Sequence, residues 1–336
     1  MITASHAARL SPPVADWRAL WREAVTDPHE LLALVGLGHL AGRLPADDAG
    51  FAVRVPRGFV ARMRHGDPLD PLLLQVLPQL AELDQVPGYG VDAVGDMAAR
   101  SAQGVLHKYE GRALLIASGS CAINCRYCFR RHFPYGDEMA AAGQWRKALE
   151  HVRQDSSIRE LILSGGDPLS LATAKLEELS RGLAEIPHVT RLRIHTRLPV
   201  VLPERVDEAF GRWLGELPLQ KVLVLHANHA NEFDASVDAA CARLREAGAT
   251  VLNQSVLLRG INDHADTLTD LSERLFAAGV LPYYLHQLDR VQGSAHFEVD
   301  DDQALALVDA IRQRLPGYLV PKLVREVGGE ASKRPV

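Results

Sequence analysis

The sequence predicts an α/β fold: a partial (βα)6 barrel with an N-terminal helical extension and a short C-terminal segment. Three observations carry this. Six short, β-rich apolar runs alternate with six amphipathic stretches long enough for helices, the pattern of a parallel sheet built from βα units. Each run turns polar at its C-terminal end, where such barrels carry their chemistry. Three of the four cysteines stand within eight residues, directly after the first run, in the spacing CxxxCxxC.

Composition is consistent with one large barrel-like domain plus an extension. The 336 residues are 47% apolar and 24% charged, enough for a sizeable core. A net charge of −5 provides no global basic field, which argues against nucleic acid as a partner. No apolar run approaches the roughly 20 residues of a membrane span. The opening MITASHAARLSPP lacks the apolar centre of a signal peptide, so a cytoplasmic protein is expected. The clustered cysteines read as a metal or catalytic motif rather than a disulfide framework.

Residues 1–100 form the expected helical extension. Apolar residues recur at helical spacing over 17–25, 28–44 and 72–83, broken by Pro and Gly. Asp27 caps a helix opening at Pro28. No titratable constellation stands out, so the extension reads as a cap on the main domain. Residues 87–96 read as a linker. The barrel, 101–316, takes its strands from 113–117, 161–163, 192–195, 222–226, 250–254 and 281–286. Its helices come from 140–154, 172–186, 204–216, 235–247, 266–278 and 301–315. Residues 317–336 form the closing segment.

Several stretches carry chemistry. Cys121, Cys125 and Cys128 suit a [4Fe–4S] cluster with one iron left open to a non-protein ligand, the arrangement needed to bind and reductively cleave S-adenosylmethionine (SAM). A structural zinc is the weaker account, because only His132 lies near and its spacing is wrong. The second strand runs into Ser164-Gly165-Gly166-Asp167-Pro168. Its glycines allow a ligand to approach the backbone and Asp167 can receive an amino group, although a turn into a helix is the plainer account. The later strands end in His195-Thr196-Arg197, His226–His229, Asn253–Ser255 and His286–Asp289, polar clusters that together point to a site. Lys108-Tyr109-Glu110-Gly111-Arg112, ahead of the first strand, offers cations and a phenol to a phosphate; a solvated charged lead-in is the alternative. Lys333 follows two glycines that would let the tail fold over the barrel mouth, against the plain reading of a solvated tail lysine.

Residues 121–131, 164–169, 197–203, 253–263 and the terminal Gly-Gly-x-x-x-Lys333 together resemble the lysine 2,3-aminomutases of the radical SAM superfamily. The resemblance covers residues from about 90 to the end. HKYEGR, CRYCFRRHFPY and PKLVREVGGEASK are most similar to the short subgroup that serves β-lysylation of elongation factor P. It implies that the three cysteines hold the cluster and that Gly165, Gly166 and Asp167 line the methionyl end of SAM. It makes Lys333 the catalytic lysine that bonds pyridoxal 5′-phosphate (PLP), with Lys108, Tyr109 and Arg112 around the phosphate. Arg130 aligns with the residue that pairs the substrate α-carboxylate, and Asp289 and Glu326 with the acids that hold the ε-ammonium. Glu326 stands where free-lysine enzymes have aspartate. The zinc-bearing C-terminal extension of those enzymes has no counterpart, so no zinc is expected and Cys241 reads as a core residue.

The expected activity is isomerisation of L-lysine to β-lysine. The implied partners are a flavodoxin- or ferredoxin-type electron donor, a lysine ligase and elongation factor P; a homo-oligomer is left open. Two other readings stand beside it: a general free-lysine 2,3-aminomutase, and a redox or structural iron–sulfur protein.

Overall fold

The computed structural model describes residues 16–138 and 145–336. One ten-stranded sheet follows chain order: β1 (Arg100–Ala102), β2 (Val105–Tyr109), β3 (Arg112–Ser118), β4 (Glu160–Gly165), β5 (Arg191–Thr196), β6 (Gln220–His226), β7 (Thr250–Val256), β8 (Leu281–His286), β9 (Lys322–Arg325) and β10 (Arg334–Pro335). Strands β1 to β3 are antiparallel, β3 to β9 run parallel, and β10 turns back antiparallel on β9. The crossovers carry helices α1 (Trp145–Gln154), α2 (Thr173–Ala184), α3 (Glu208–Glu216), α4 (Ala235–Glu246), α5 (Ala265–Ala277) and α6 (Asp301–Arg312). The six expected βα units are therefore present. The start of the first helix (140–144) and the N-terminal stretch used to judge a leader lie outside the described residues.

A parallel sheet is covered on both faces, which explains its near-continuous apolar runs. In β5 the alternation is still visible: Leu192 and Ile194 are buried in the apolar core, while Arg193 and His195 face the barrel interior. Asp207, Asp234 and Asp300 cap α3, α4 and α6 by accepting backbone N–H bonds. Cys241 lies fully buried in α4. No helix among the described residues is long and apolar enough to cross a membrane.

Three parts differ from the sequence expectation. The stretch 108–112 is no simple lead-in: it is the tip of a β2–β3 hairpin, with Gly111 at φ +75° in the turn. This pairs Tyr109 with Arg112 across the hairpin, and the guanidinium sits 4.6 Å over the phenol ring. Residues 317–336 complete the sheet instead of standing apart, since β9 is a seventh parallel strand. Its four residues, charged at both ends, give too short an apolar run to read as a strand.

The extension, finally, is made of brief helical pieces. Pro28–Leu34 opens as expected, with Asp27 accepting from His29 N at 2.8 Å. It stops at Gly36, whose φ of +74° and the bonds Leu37 N→Leu32 O and Gly36 N→Ala33 O form a Schellman closure. Pro78 ends the regular structure between Pro71–Leu74 and the 3-10 turn Leu80–Leu83. These pieces share one continuous apolar core with β3–β7 and α1–α5.

Candidate active site

The C-terminal strand ends enclose a cavity of about 460 Å³. Every site residue inferred from the sequence lines it: the three cysteines, Lys108, Tyr109, Arg112, Arg130, Gly165, Gly166, Asp167, Asp289, Glu326 and Lys333. Strand alternation sorts the polar strand ends. His195, His226, Gln254 and His286 face the cavity, whereas Asn253 and Ser255 turn away and bond the backbone of Ala227.

The cysteine end is held from behind. Burial, and then the neighbouring thiols, push Cys121 well above the ordinary thiol range; the same causes raise Cys128 to about 11. Free of metal these groups are thiols, and their conversion to ligands calls for a strong positive centre. Arg126, one residue past Cys125, is fully buried and forks onto Glu82 with contacts of 2.8, 3.1 and 2.6 Å. Arg131 reaches the same carboxylate at 3.0 Å. Asn124 bonds the backbone of Arg54 and Ala52, and Arg126 N bonds Gln75 O at 2.9 Å. The extension is therefore more than a cap: it grips the cysteine loop through Glu82, Gln75 and main-chain carbonyls.

The two glycines after β4 answer to the protein's own chain. A Cβ on Gly165 would lie 2.4 Å from Ser118 O, and one on Gly166 2.7 Å from Ser120 O. The bonds Gly166 N→Ser118 O (2.7 Å) and Asp167 N→Ser120 O (2.8 Å) press this turn against the start of the cysteine loop. What the glycines admit is backbone, and the turn reading of the sequence holds. Asp167 serves the same end. Its carboxylate accepts from Thr196 Oγ1, from the backbone N–H groups of Arg197 and Leu198, and from Leu169 N. An amino group arriving here would meet oxygens already engaged.

The opposite end is a row of alternating charges. Lys333 pairs with Glu326; Glu326 reaches Lys108 at 2.9 Å; Lys108 reaches Asp96 at 2.7 Å; Asp96 reaches Arg130 at 2.7 Å, and Arg130 continues to Ser164 Oγ at 3.0 Å. Burial alone would raise the acids, but the cations overrule it. Lys333 and Lys108 hold Glu326 far below the usual carboxylate range, and Arg130 and Lys108 lower Asp96. At Asp289 the balance is reversed: burial and then Glu326 outweigh Lys333 and Lys108 and push it up to about 7. Lys333 Nζ lies 5.9 Å from the centre of the Tyr284 ring. Asp96 was hidden in a stretch that reads as a linker.

The residues fit the groups the motif implies. Among the described residues no three ligand-type side chains converge as they would on a single metal ion. A cluster asks something different, since each thiol binds its own iron. At the other end an amine, cations and aromatic rings line one wall, and beside them His195 Nε2 is buried with no hydrogen-bond partner among the described residues, a place for a ligand's polar atom. His132 lies off the cavity wall, its Nε2 3.3 Å from Gln292 O.

The Radical SAM superfamily profile matches residues 115–271. The chain is 49% identical to the L-lysine 2,3-aminomutase of Escherichia coli K12, over 99% of this chain and 98% of that one. It is 44% identical to the L-lysine 2,3-aminomutase of Haemophilus influenzae, over 95% and 94% of the two chains. The enzyme of the same name from Clostridium subterminale is 35% identical over 80% of this chain and 65% of that one. Radical SAM enzymes use a [4Fe–4S] cluster and SAM, and lysine 2,3-aminomutases, which are isomerases, also use PLP. Near-full-length identity, together with the cysteine spacing at the mouth of this barrel, leads to one conclusion: the chain belongs to the radical SAM lysine 2,3-aminomutase family.

Proposed function

We propose that the protein moves the amino group of L-lysine from Cα to Cβ in the cytoplasm, using SAM and PLP, and that the β-lysine serves modification of elongation factor P. The observation that carries this reading is the shared cavity, with thiols at one end and a lysine between acids and cations at the other. Bound there, the cofactors supply the radical that removes an unactivated hydrogen, a step beyond any protein base.

The chain's own residues bind, orient and shield. Cys121, Cys125 and Cys128 hold the cluster, and the turn at Gly165, Gly166 and Asp167 lines the methionyl end of SAM. Lys333 bonds PLP, and Lys108, Tyr109 and Arg112 receive its phosphate. Arg130 takes the α-carboxylate while Asp289 and Glu326 take the ε-ammonium, so the substrate is measured by length with charge-assisted bonds. Asp96 keeps Arg130 and Lys108 in place. The buried cavity keeps water from the reaction. The implied partners are a flavodoxin- or ferredoxin-type one-electron donor, a lysine ligase and elongation factor P.

The test is anaerobic reconstitution with iron, sulfide, PLP, SAM and a strong reductant, followed by chiral separation of α- from β-lysine. β-Lysine should form, and should vanish in Cys125→Ala and Lys333→Ala. SAM cleavage with lysine untouched would sink the substrate assignment. Deleting the gene should remove the β-lysyl mass from elongation factor P, and added β-lysine should restore it; an unchanged mass would separate the enzyme from that pathway.

A further inference from the structure

Arg197, at the end of β5, is 6% exposed and belongs to none of the roles assigned above. One amino group of its guanidinium, Nη1, donates to Cys125 Sγ at 2.7 Å and to the Tyr127 hydroxyl at 2.8 Å. The other, Nη2, donates to Gln75 Oε1 at 2.6 Å and to Glu232 Oε2 at 2.9 Å. Glu232 is itself fixed: its Oε1 accepts from Asn228 N at 2.7 Å, His229 N at 3.1 Å and Gln75 Nε2 at 3.2 Å. A buried cation with four hydrogen-bond acceptors thus aims a charged N–H at one cysteine sulfur, with the Glu232 carboxylate on its other amino group.

We propose that Arg197 is a positioning residue for electron transfer: its charged N–H···S bond to Cys125 raises the reduction potential of the cluster, and Glu232 holds that rise in check. The proposal rests on the cluster reading of the cysteines. The cluster takes one electron from an external one-electron donor and becomes one unit more negative. Hydrogen bonds to the ligand sulfurs and nearby charge set how readily it does so. A cation beside the sulfur stabilises the reduced form, and more so where little water screens it. Glu232 acts in the opposite sense through the same guanidinium. Gln75 brings the N-terminal extension into this arrangement, so the segment that grips the cysteine loop also reaches its electrostatics.

The experiment is an anaerobic redox titration of the reconstituted full-length protein, followed by the low-temperature electron paramagnetic resonance signal of the reduced cluster, without SAM or lysine. Arg197→Met combined with Glu232→Gln removes both charges together and leaves no orphaned buried ion. At a fixed poise the reduced-to-oxidised ratio should fall about tenfold, a midpoint shift of about −59 mV for one electron. Glu232→Gln alone keeps the N–H···S bond and removes the restraining anion, so its midpoint should move upward. Opposite shifts carry the proposal.

Iron content lost in proportion, with the midpoint of the remaining cluster unmoved in both variants, would overturn it and leave Arg197 a purely structural group. Shifts of the same sign would overturn it too. Should the double variant bind no cluster, Arg197→Lys and Glu232→Gln decide: Lys keeps charge without the fork and should lie below wild type while Glu232→Gln lies above it, and coincident midpoints refute the idea. A wild-type protein that takes up no [4Fe–4S] cluster would instead bring down the cluster reading itself.

Discussion

The two ends of the cavity are both rich in ion pairs, yet they are built on opposite plans. Behind the cysteines, Arg126 with Glu82 and Arg197 with Glu232 are sealed from solvent, and each carboxylate is also tied to neutral donors. Of these four groups only Arg197 reaches the cavity wall, where it meets Cys125. At the other end Lys333, Glu326, Lys108, Asp96 and Arg130 line the cavity wall in one continuous row of ion pairs. On the proposed assignment, the difference follows what each end would hold. A cluster stays, so its cradle is locked from behind. Substrate comes and goes, so its charges are neutralised by one another and remain exchangeable.

The largest effect should separate the two ends outright. Cys125→Ala should abolish the cluster absorbance and SAM cleavage while PLP absorbance survives; Lys333→Ala should do the reverse. If either variant loses both cofactors, the ends are not independent. Next, Glu82→Gln leaves two buried guanidinium groups without their counter-charge and should cost about 3–5 kcal/mol. A urea midpoint and iron content would both drop, though Glu82 lies in the extension; unchanged values would return the extension to the rank of a cap.

Gly166→Ala drives a methyl into Ser120 O and should destabilise by about 1–3 kcal/mol while lowering cluster occupancy. Wild-type stability there would mean the turn can back away from the cysteine loop. The smallest effect is one of pH. Asp289, raised from 3.8 to about 7, is protonated on the acid side of neutrality and cannot pair an ammonium there. Lysine should therefore bind roughly tenfold better at about pH 8 than at about pH 6, and Asp289→Asn should flatten the profile. A wild-type profile as flat as that of Asp289→Asn would remove Asp289 from the clamp. By the same shift the empty fold binds its proton more tightly than the unfolded chain, so this group's contribution to stability fades as pH climbs from about 4 to about 7.

Much of this was legible in the sequence, for physical reasons. The cysteines are a rare residue type in fixed local spacing, and the strands announce themselves by apolar runs, whereas Lys333 by itself reads as a solvated tail lysine and is singled out only by the family resemblance. Asp96 carries no such mark: it becomes important only because the hairpin brings Lys108 beside it and the cysteine loop brings Arg130. Gln75 and Glu82 sit in an amphipathic stretch where a polar residue is unremarkable until a distant loop buries it. The Gly165-Gly166 pair correctly signals close approach, but sequence cannot tell whether a ligand or the chain itself is approaching. The strand-end clusters were right in aggregate and mixed in detail, because strand alternation sends neighbours such as Asn253 and Gln254 to opposite faces.

The sheet's strand order has a consequence for biogenesis. Every strand lies beside its neighbour in sequence, so the sheet can extend in the order of synthesis, from the β1–β3 meander to β10. The extension that grips the cysteine loop emerges before that loop, whereas Glu326 and Lys333 arrive with the last strands. A nascent chain thus carries its three cysteines, and the extension that grips them, well before it has the Lys333 amine to offer.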